Sequence, residues 1–449
     1  MAKLRCPQEW SQWIEEVSEA LHADNRWRLV LLMGGMLFAQ GRRTVASWLR
    51  AAGITDDFQD YYYFLSAVGK RAEAMAERVL ALMFRIVASG PIVVFALDDT
   101  PTKRYGPQVE GAGLHHNPTP GPAQHEWLYG HVWVVLSWVV RHRLWHTIAM
   151  PLLARLYVRR CDVDDPKKMP PHRGWRFRTK LELAAEMIEW LAKLVKSSGK
   201  RLRIVADGFY AKREVLQRAT AAGGVVFSRL RCDAALFEPP PELPSKGKRG
   251  RGRPRKYGKK RISLATRAGH PRGWQTGEFT LYGKLVTKTY KTFLASYRPA
   301  GGLIRVVIVK DDDRSWRAFF STDPPSTVTE ILEAVADRAA IEQNFHDLKE
   351  VEGFGQVQLR NVWANVGACH LNLWLHTLIE LWSWHQPHAQ LCDRRDSPWD
   401  DATRRPSHAD RRKALRRATL EHDFQQAIAA QTAPSKITRL FKTLCNLVG

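Results

Sequence analysis

Three observations predict a mixed α/β layered fold. Short apolar, β-branched runs end in carboxylates at Asp98-Asp99 and at Asp207. Amphipathic helix patterns separate the later runs. The resulting order β, β, β, α, β, α, β describes helices layered on one sheet.

Residues 1–88 carry apolar positions at helical spacing, notably in Trp27–Ala39, Val45–Leu49 and Met75–Val87. They read as an N-terminal helical, DNA-binding domain. Thr44–Thr55 has the size of a helix-turn-helix element, although most such patterns are plain helical hairpins. Residues 89–232 read as the first part of the sheet domain. Pro91–Leu97 is a continuous apolar run between Gly90-Pro91 and Asp98-Asp99-Thr100-Pro101, hence a buried strand ending in carboxylates. A Gly/Pro/His-rich loop, Gly106–Pro122, leads to strand patterns at Trp127–Val140 and His146–Val158. Lys180–Lys196 reads as an amphipathic helix, Arg203–Ala206 as a strand, Lys212–Ala222 as a helix and Val225–Leu230 as a strand.

Residues 233–323 read as a basic, β-rich insertion. Pro239–Pro244 is proline-rich, and Lys246–Arg261 has ten basic residues in sixteen positions with no acid. Gly277–Ala295, Arg305–Lys310 and Trp316–Ser321 then read as antiparallel strands separated by turns. Residues 324–388 return to helix, at Thr327–Glu350 with Ser326 as the expected N-cap, and at Asn365–Trp384. Residues 389–449 read as a basic, helix-prone tail.

Charge narrows the partner. Lys and Arg number 69 against 45 Asp and Glu, a net +24. That excess fits a polyanion, either nucleic acid or an anionic membrane. No stretch reaches the roughly 18 apolar residues of a spanning helix, and Met1–Trp10 is too polar for a secretory leader. The six cysteines are scattered without a Cys-x-x-Cys pair, which disfavours a disulfide framework or structural zinc. The chain reads as cytoplasmic and nucleic-acid-facing.

A carboxylate just past a buried strand lies at the lip of a sheet, where ligands bind in open α/β folds. Asp98, Asp99 and Asp207 have that setting. The third candidate is Glu342. On its helix, Arg338, Glu342, Phe345 and Lys349 fall within about 60° of one another. Ile341 and Leu348 flank this stripe, so the charged residues sit beside the buried seam rather than opposite it. An all-oxygen Asp, Asp, Glu set suits Mg²⁺ or Mn²⁺ rather than zinc. Two such ions about 4 Å apart activate a hydroxyl and stabilise the leaving oxygen of a phosphodiester. Arg338 and Lys349 would hold flanking phosphates. Taken singly, a strand-end Asp is commonly a turn residue and an i,i+4 Arg–Glu pair a surface ion pair.

These residues resemble a DDE transposase of bacterial insertion sequences, of the ribonuclease H-like, retroviral integrase superfamily. The resembling subgroup carries a long β-rich insertion before a Tyr-x2-Arg-x3-Glu-x6-Lys helix. Here Arg338-x3-Glu342-x6-Lys349 matches, while the Tyr position is Val335. Leu97-Asp98-Asp99-Thr100 resembles the family's first strand end; an Asp-x-Thr form selects Asp98, an Asp directly before Thr selects Asp99. Val205-Ala206-Asp207-Gly208-Phe209-Tyr210 is similar to the second. Asp98 and Asp207 are 109 positions apart, Asp207 and Glu342 135.

The resemblance implies a mixed five-stranded sheet flanked by helices and interrupted by the insertion. It implies Asp98 (or Asp99), Asp207 and Glu342 as catalytic metal ligands with two Mg²⁺ ions, Mn²⁺ being an option. It implies cleavage at transposon ends and strand transfer into target DNA, by a homodimer assembled on paired terminal inverted repeats. The alternatives are a DNA-binding regulator without catalysis, or another ribonuclease H-like nuclease.

Accessory contacts are also expected. Arg251-Gly252-Arg253-Pro254-Arg255-Lys256 resembles an AT-hook, whose arginines enter a narrow minor groove. Trp274 and Trp316 could stack on an unpaired base, though packing is the commoner use. His115-His116 lies in the loop near Asp98 without partners at metal-ligand spacing. Trp374, Trp382 and Trp384 read as packing residues of the helical layer.

Overall fold

The computed structural model describes residues 6–87, 90–116, 125–241, 255–311, 315–392, 398–401 and 403–429. The chain opens with helices α1 (Gln8–Ser18), α2 (Ala23–Phe38), α3 (Val45–Ala51), α4 (Phe58–Lys70) and α5 (Ala72–Ile86). Their apolar stripes face inward: α1 buries Trp10, Trp13, Ile14 and Val17. The Thr44 hydroxyl caps α3 by accepting the Ser47 N–H.

The sheet begins with β1 (Ile92–Lys103), β2 (Gly113–His116), β3 (Trp127–His142) and β4 (His146–Tyr157). After the short α6 (Arg160–Val163), α7 (Lys180–Ser197) starts at a Thr179–Glu182 capping box. Then follow β5 (Arg201–Ala206), α8 (Arg213–Ala221) and β6 (Val225–Leu230). The strands lie in the order β4-β3-β1-β5-β6. β3 is antiparallel to both neighbours, whereas β1, β5 and β6 are parallel. This is the mixed five-stranded sheet, in ribonuclease H-like strand order, that the resemblance implied. From Gly130 to Val140 β3 is buried throughout, as expected for a strand covered on both faces.

The basic, β-rich stretch adds β7 (Leu236–Phe237), β8 (Arg261–Ile262), α9 (Leu264–Gly269), β9 (Gln275–Leu281), β10 (Lys284–Tyr297), β11 (Gly302–Lys310) and β12 (Trp316–Ser321). β12 pairs antiparallel with β6, so these strands extend the same sheet rather than forming a second one. Gly277–Ala295 is not one strand. It is interrupted by a two-residue turn in which Tyr282 and Gly283 both take positive φ, 53° and 75°. A tyrosine gives no sequence signal for such a turn.

α10 (Val328–Asp337) and α11 (Ala339–Glu350) meet at Arg338, whose backbone remains right-handed helical. Ser326 does not cap α10. Thr327 does, in a capping box with Glu330, while the Ser326 hydroxyl pairs with Ser321 and Asp323. α12 (Val362–Ser383) is buried at every residue but the half-buried Trp363, and α13 (His388–Leu391) and α14 (His408–Ala429) follow.

α7 and α8 cover one face of the sheet, and α10 and α11 the other. α12 packs on β4 and crosses α4, where Gly69 and Gly367 meet backbone to backbone. A Cβ on Gly69 would overlap the Trp363 carbonyl, and one on Gly367 the Leu65 carbonyl. α14 closes the assembly over α2 and α12: Arg412 and Arg416 donate to the Met36, Leu37 and Ala39 carbonyls at the end of α2. Cations at a helix C-terminus satisfy its orphan carbonyls and its dipole. No helix among the described residues is long and apolar enough to cross a membrane.

Candidate active site

β1 does not stop at its carboxylates. It continues to Lys103 because β3 keeps pairing with it. On its other side the ladder ends at Leu97 against Ala206, where β5 turns away. Asp98 and Asp207 are the next residue on each strand, side by side at the opened edge. Successive side chains of a strand point to opposite faces, so Asp98 faces α11 and Asp99 faces α7.

Asp98 Oδ2 accepts a hydrogen bond from Arg338 Nη1 at 2.6 Å, and Oδ1 accepts the Asp99 N–H at 2.9 Å. Burial pushes the Asp98 carboxyl up to about 6, against the pull of Arg338. The charges of Asp99 and Asp207 push the same way as burial. Arg338 Nη2 donates to Glu342 Oε1 at 3.0 Å. One guanidinium thus joins a carboxylate of β1 to a carboxylate of α11. Ile341, Phe345 and Leu348 anchor α11 in the core and leave Glu342 exposed. Lys349 is half-buried, its ammonium pushed down by desolvation, and makes no ion pair among the described residues. Val335 packs into an apolar cluster with Ile331, Val307 and Phe319.

The other face holds a second network, which sequence reasoning missed. Asp99 accepts from Lys180 Nζ at 2.6 Å and from the Tyr210 hydroxyl at 2.9 Å. Tyr210 is buried, and burial beside Asp99 raises its phenol well above the ordinary value. Asp207 caps the turn Gly208–Tyr210 by accepting the Phe209 N–H at 3.2 Å, and stays exposed. Asp98 thus shares Arg338 with Glu342, whereas Asp99 ties Asp207's turn and the start of α7 to β1. Tyr210 stood in the sequence three places after Asp207, but nothing marked it as the partner of Asp99.

The remaining sequence candidates scatter. Arg251 and Arg253 lie outside the described residues; Arg255 and Lys256 are exposed. His115 and His116 are not in a loop but in β2, paired with β3, and His116 packs edge-on against Trp127. Trp274 lies under Lys291 Nζ, and Trp374 is buried with its indole N–H on the Leu152 carbonyl.

Asp98, Asp207 and Glu342 form an all-oxygen donor set of the kind hard divalent cations take. The set fits such ions by chemistry, although its three carboxylates are not gathered within ligating distance and Arg338 spans two of them. Among the described residues, the group whose ligand atoms do lie within 4.8 Å of one another is His376, Glu380 and His408. Its chemistry is that of an ion-paired lock. His408 Nδ1 meets Glu380 at 2.6 Å and Nε2 meets Glu352 at 2.9 Å. These carboxylates push His408 up to about 9, and the cations around them pull both carboxylates down to about 2. An imidazolium has no lone pair for a metal. This lock lies behind α11: Asn344 bonds His376, which stacks on His408 at 3.9 Å.

A family model described as DDE superfamily endonuclease matches residues 16–291, more than half of the chain. The match includes Asp98 and Asp207 and ends before Glu342. Among solved structures, the chain is similar to a piggyBac transposase in a synaptic complex with hairpin DNA. Identity is 10%, the TM-score 0.39, and the alignment covers 98% of this chain and 75% of that one. A search of curated proteins finds no match.

Proposed function

The chain belongs to the DDE superfamily endonucleases, and from that premise we propose that it is a DNA transposase of bacterial insertion sequences. It would act in the cytoplasm as a homodimer on paired terminal inverted repeats, first cleaving at the transposon ends and then joining the freed 3′-hydroxyl to target DNA. Asp98, Asp207 and Glu342 are the carboxylates that would hold two Mg²⁺ or Mn²⁺ ions. Bound there, such ions would activate the attacking oxygen and stabilise the leaving one.

The observation that carries this reading is the Arg338 bridge from Asp98 to Glu342, 2.6 Å and 3.0 Å long, between residues far apart in sequence. An isolated surface pair would not reach a strand-end carboxylate on the opened edge of a sheet. Arg338 balances the two carboxylates, and its planar fork also matches a phosphate. Asp207, held by its own turn, stands exposed at the mouth of the site.

The test is cleavage of plasmid DNA carrying the element's own flanks, with Mg²⁺ or with EDTA. Nicking at the flanks that needs the metal and is lost in Asp207→Ala and Glu342→Ala is the expected result. Wild-type cleavage by either variant removes the assignment. DNA binding with no nicked product would mean a DNA-binding regulator instead.

A further inference from the structure

Beyond Asp207 the sheet edge forms a groove of about 460 Å³, between the turn at Gly208, the end of β6 and the start of β12. Its walls carry Lys212, Arg229, Arg231 and Arg317, and Asp207 at its rim is its acidic residue. Arg231 and Arg317 are held in place by Asp233 and Asp311 at 3.0 and 2.6 Å. Lys212 and Arg229 are exposed and form no ion pair among the described residues. Two aromatic residues line the same groove: Trp316, half-buried, and Phe209, 48% exposed although it sits between Gly208 and the buried Tyr210.

A row of cations with an exposed aromatic ring is the combination that tracks a single strand, the cations on phosphates and the ring under a base. A duplex keeps its bases stacked inside, whereas Phe209, packed edge-on against Tyr210 and with Lys180 Nζ 5.8 Å from its ring centre, still leaves about half of its surface open to an unpaired base. We propose that this groove holds one unpaired DNA strand leading away from the scissile phosphate, with Lys212 and Arg229 on its phosphates and Phe209 stacked on a base next to Asp207. The inference rests on the transposase reading above. It makes that site a reader of opened DNA ends.

Binding separates the two claims, because it needs neither metal nor cleavage. Fluorescence anisotropy would use the full chain in EDTA with a 30-nucleotide single strand and a 30-base-pair duplex, each over a salt series. Single-strand affinity of Lys212→Ala/Arg229→Ala should fall, and its log–log salt slope should flatten by about 1.4, near 0.7 per lost phosphate contact. Phe209→Ala should weaken single-strand binding about 5-fold or more with no change in slope and no loss on the duplex. A 2-aminopurine base in the single strand should change its fluorescence on binding wild type but not Phe209→Ala. Unchanged slopes in the double variant, or equal effects of Phe209→Ala on both DNAs, overturn the proposal. If the groove variants behave as expected while wild type never nicks with Mg²⁺, the transposase reading fails and the groove stands as a single-strand binding site.

Discussion

Arg338 donates to Asp98 Oδ2 at 2.6 Å while holding Glu342 at 3.0 Å, and so fixes α11 against the open edge of the sheet. A lysine has one ammonium in place of the two-pronged fork and cannot match this geometry. Arg338→Lys and Arg338→Ala should therefore both reduce cleavage by about 10²-fold or more, and Arg338→Ala, which leaves the largely buried Asp98 carboxylate without its partner, should also cost about 1–3 kcal/mol of stability. Single-turnover cleavage alongside melting curves separates the two effects.

Asp98 should make the metal-free protein less stable as pH rises. Its carboxyl titrates near 6 in the folded chain against 3.8 as a free group. The folded state thus binds that proton more tightly, and stability falls between about pH 4 and pH 6. The loss is on the order of 3 kcal/mol at 1.4 kcal/mol per pH unit. Asp98→Asn should melt higher than wild type at pH 8 in EDTA, and the two curves should meet below pH 4.

Tyr210→Phe removes the hydroxyl that Asp99 accepts and leaves the ring in place. One such bond is worth about 1 kcal/mol. Its loss loosens the turn that presents Asp207, so cleavage should fall several-fold while duplex affinity stays constant. An equal fall in both would assign Tyr210 to folding alone.

The His408 lock sets the pH limits of α14 docking. His408 is raised to about 9, so its contribution is complete below its ordinary 6.5 and is lost as pH rises through 9. Glu352 and Glu380 are lowered to about 2, so theirs is complete above 4.5 and is lost as pH falls towards 2. His408→Gln leaves two buried carboxylates short of a counter-charge and should destabilise by about 3–5 kcal/mol. The difference in melting temperature between wild type and His408→Gln should be largest and constant between about pH 4.5 and 6.5 and should shrink on either side, the slope from Asp98 cancelling because both proteins carry it.

The α4–α12 crossing should tolerate no side chain. Gly69→Ala or Gly367→Ala should each cost about 1–3 kcal/mol by overpacking. The pair should be less than additive, because the first already separates the helices. Denaturant midpoints of both single variants and of the double variant measure this.

The sequence by itself determined most of the sheet. β6 and β12 stand at the residues their apolar patterns gave, and Arg338 and Glu342 share a helical stripe as their spacing required. Periodicity, turn residues and strand ends are local signals, and a local signal survives in a linear chain. The tertiary structure decided what depends on pairing across distance. It separated Asp98 from Asp99, because a strand alternates its faces and only the helices packed there tell those faces apart. It carried β1 past its carboxylates, since β3 goes on pairing after β5 has left. It joined the basic stretch to the same sheet through β12, and it gave the basic, helix-prone tail a buried face with His408, Arg411 and Arg412. Burying those charges requires Glu352 and Glu380 beside them, and only the folded chain brings these residues together.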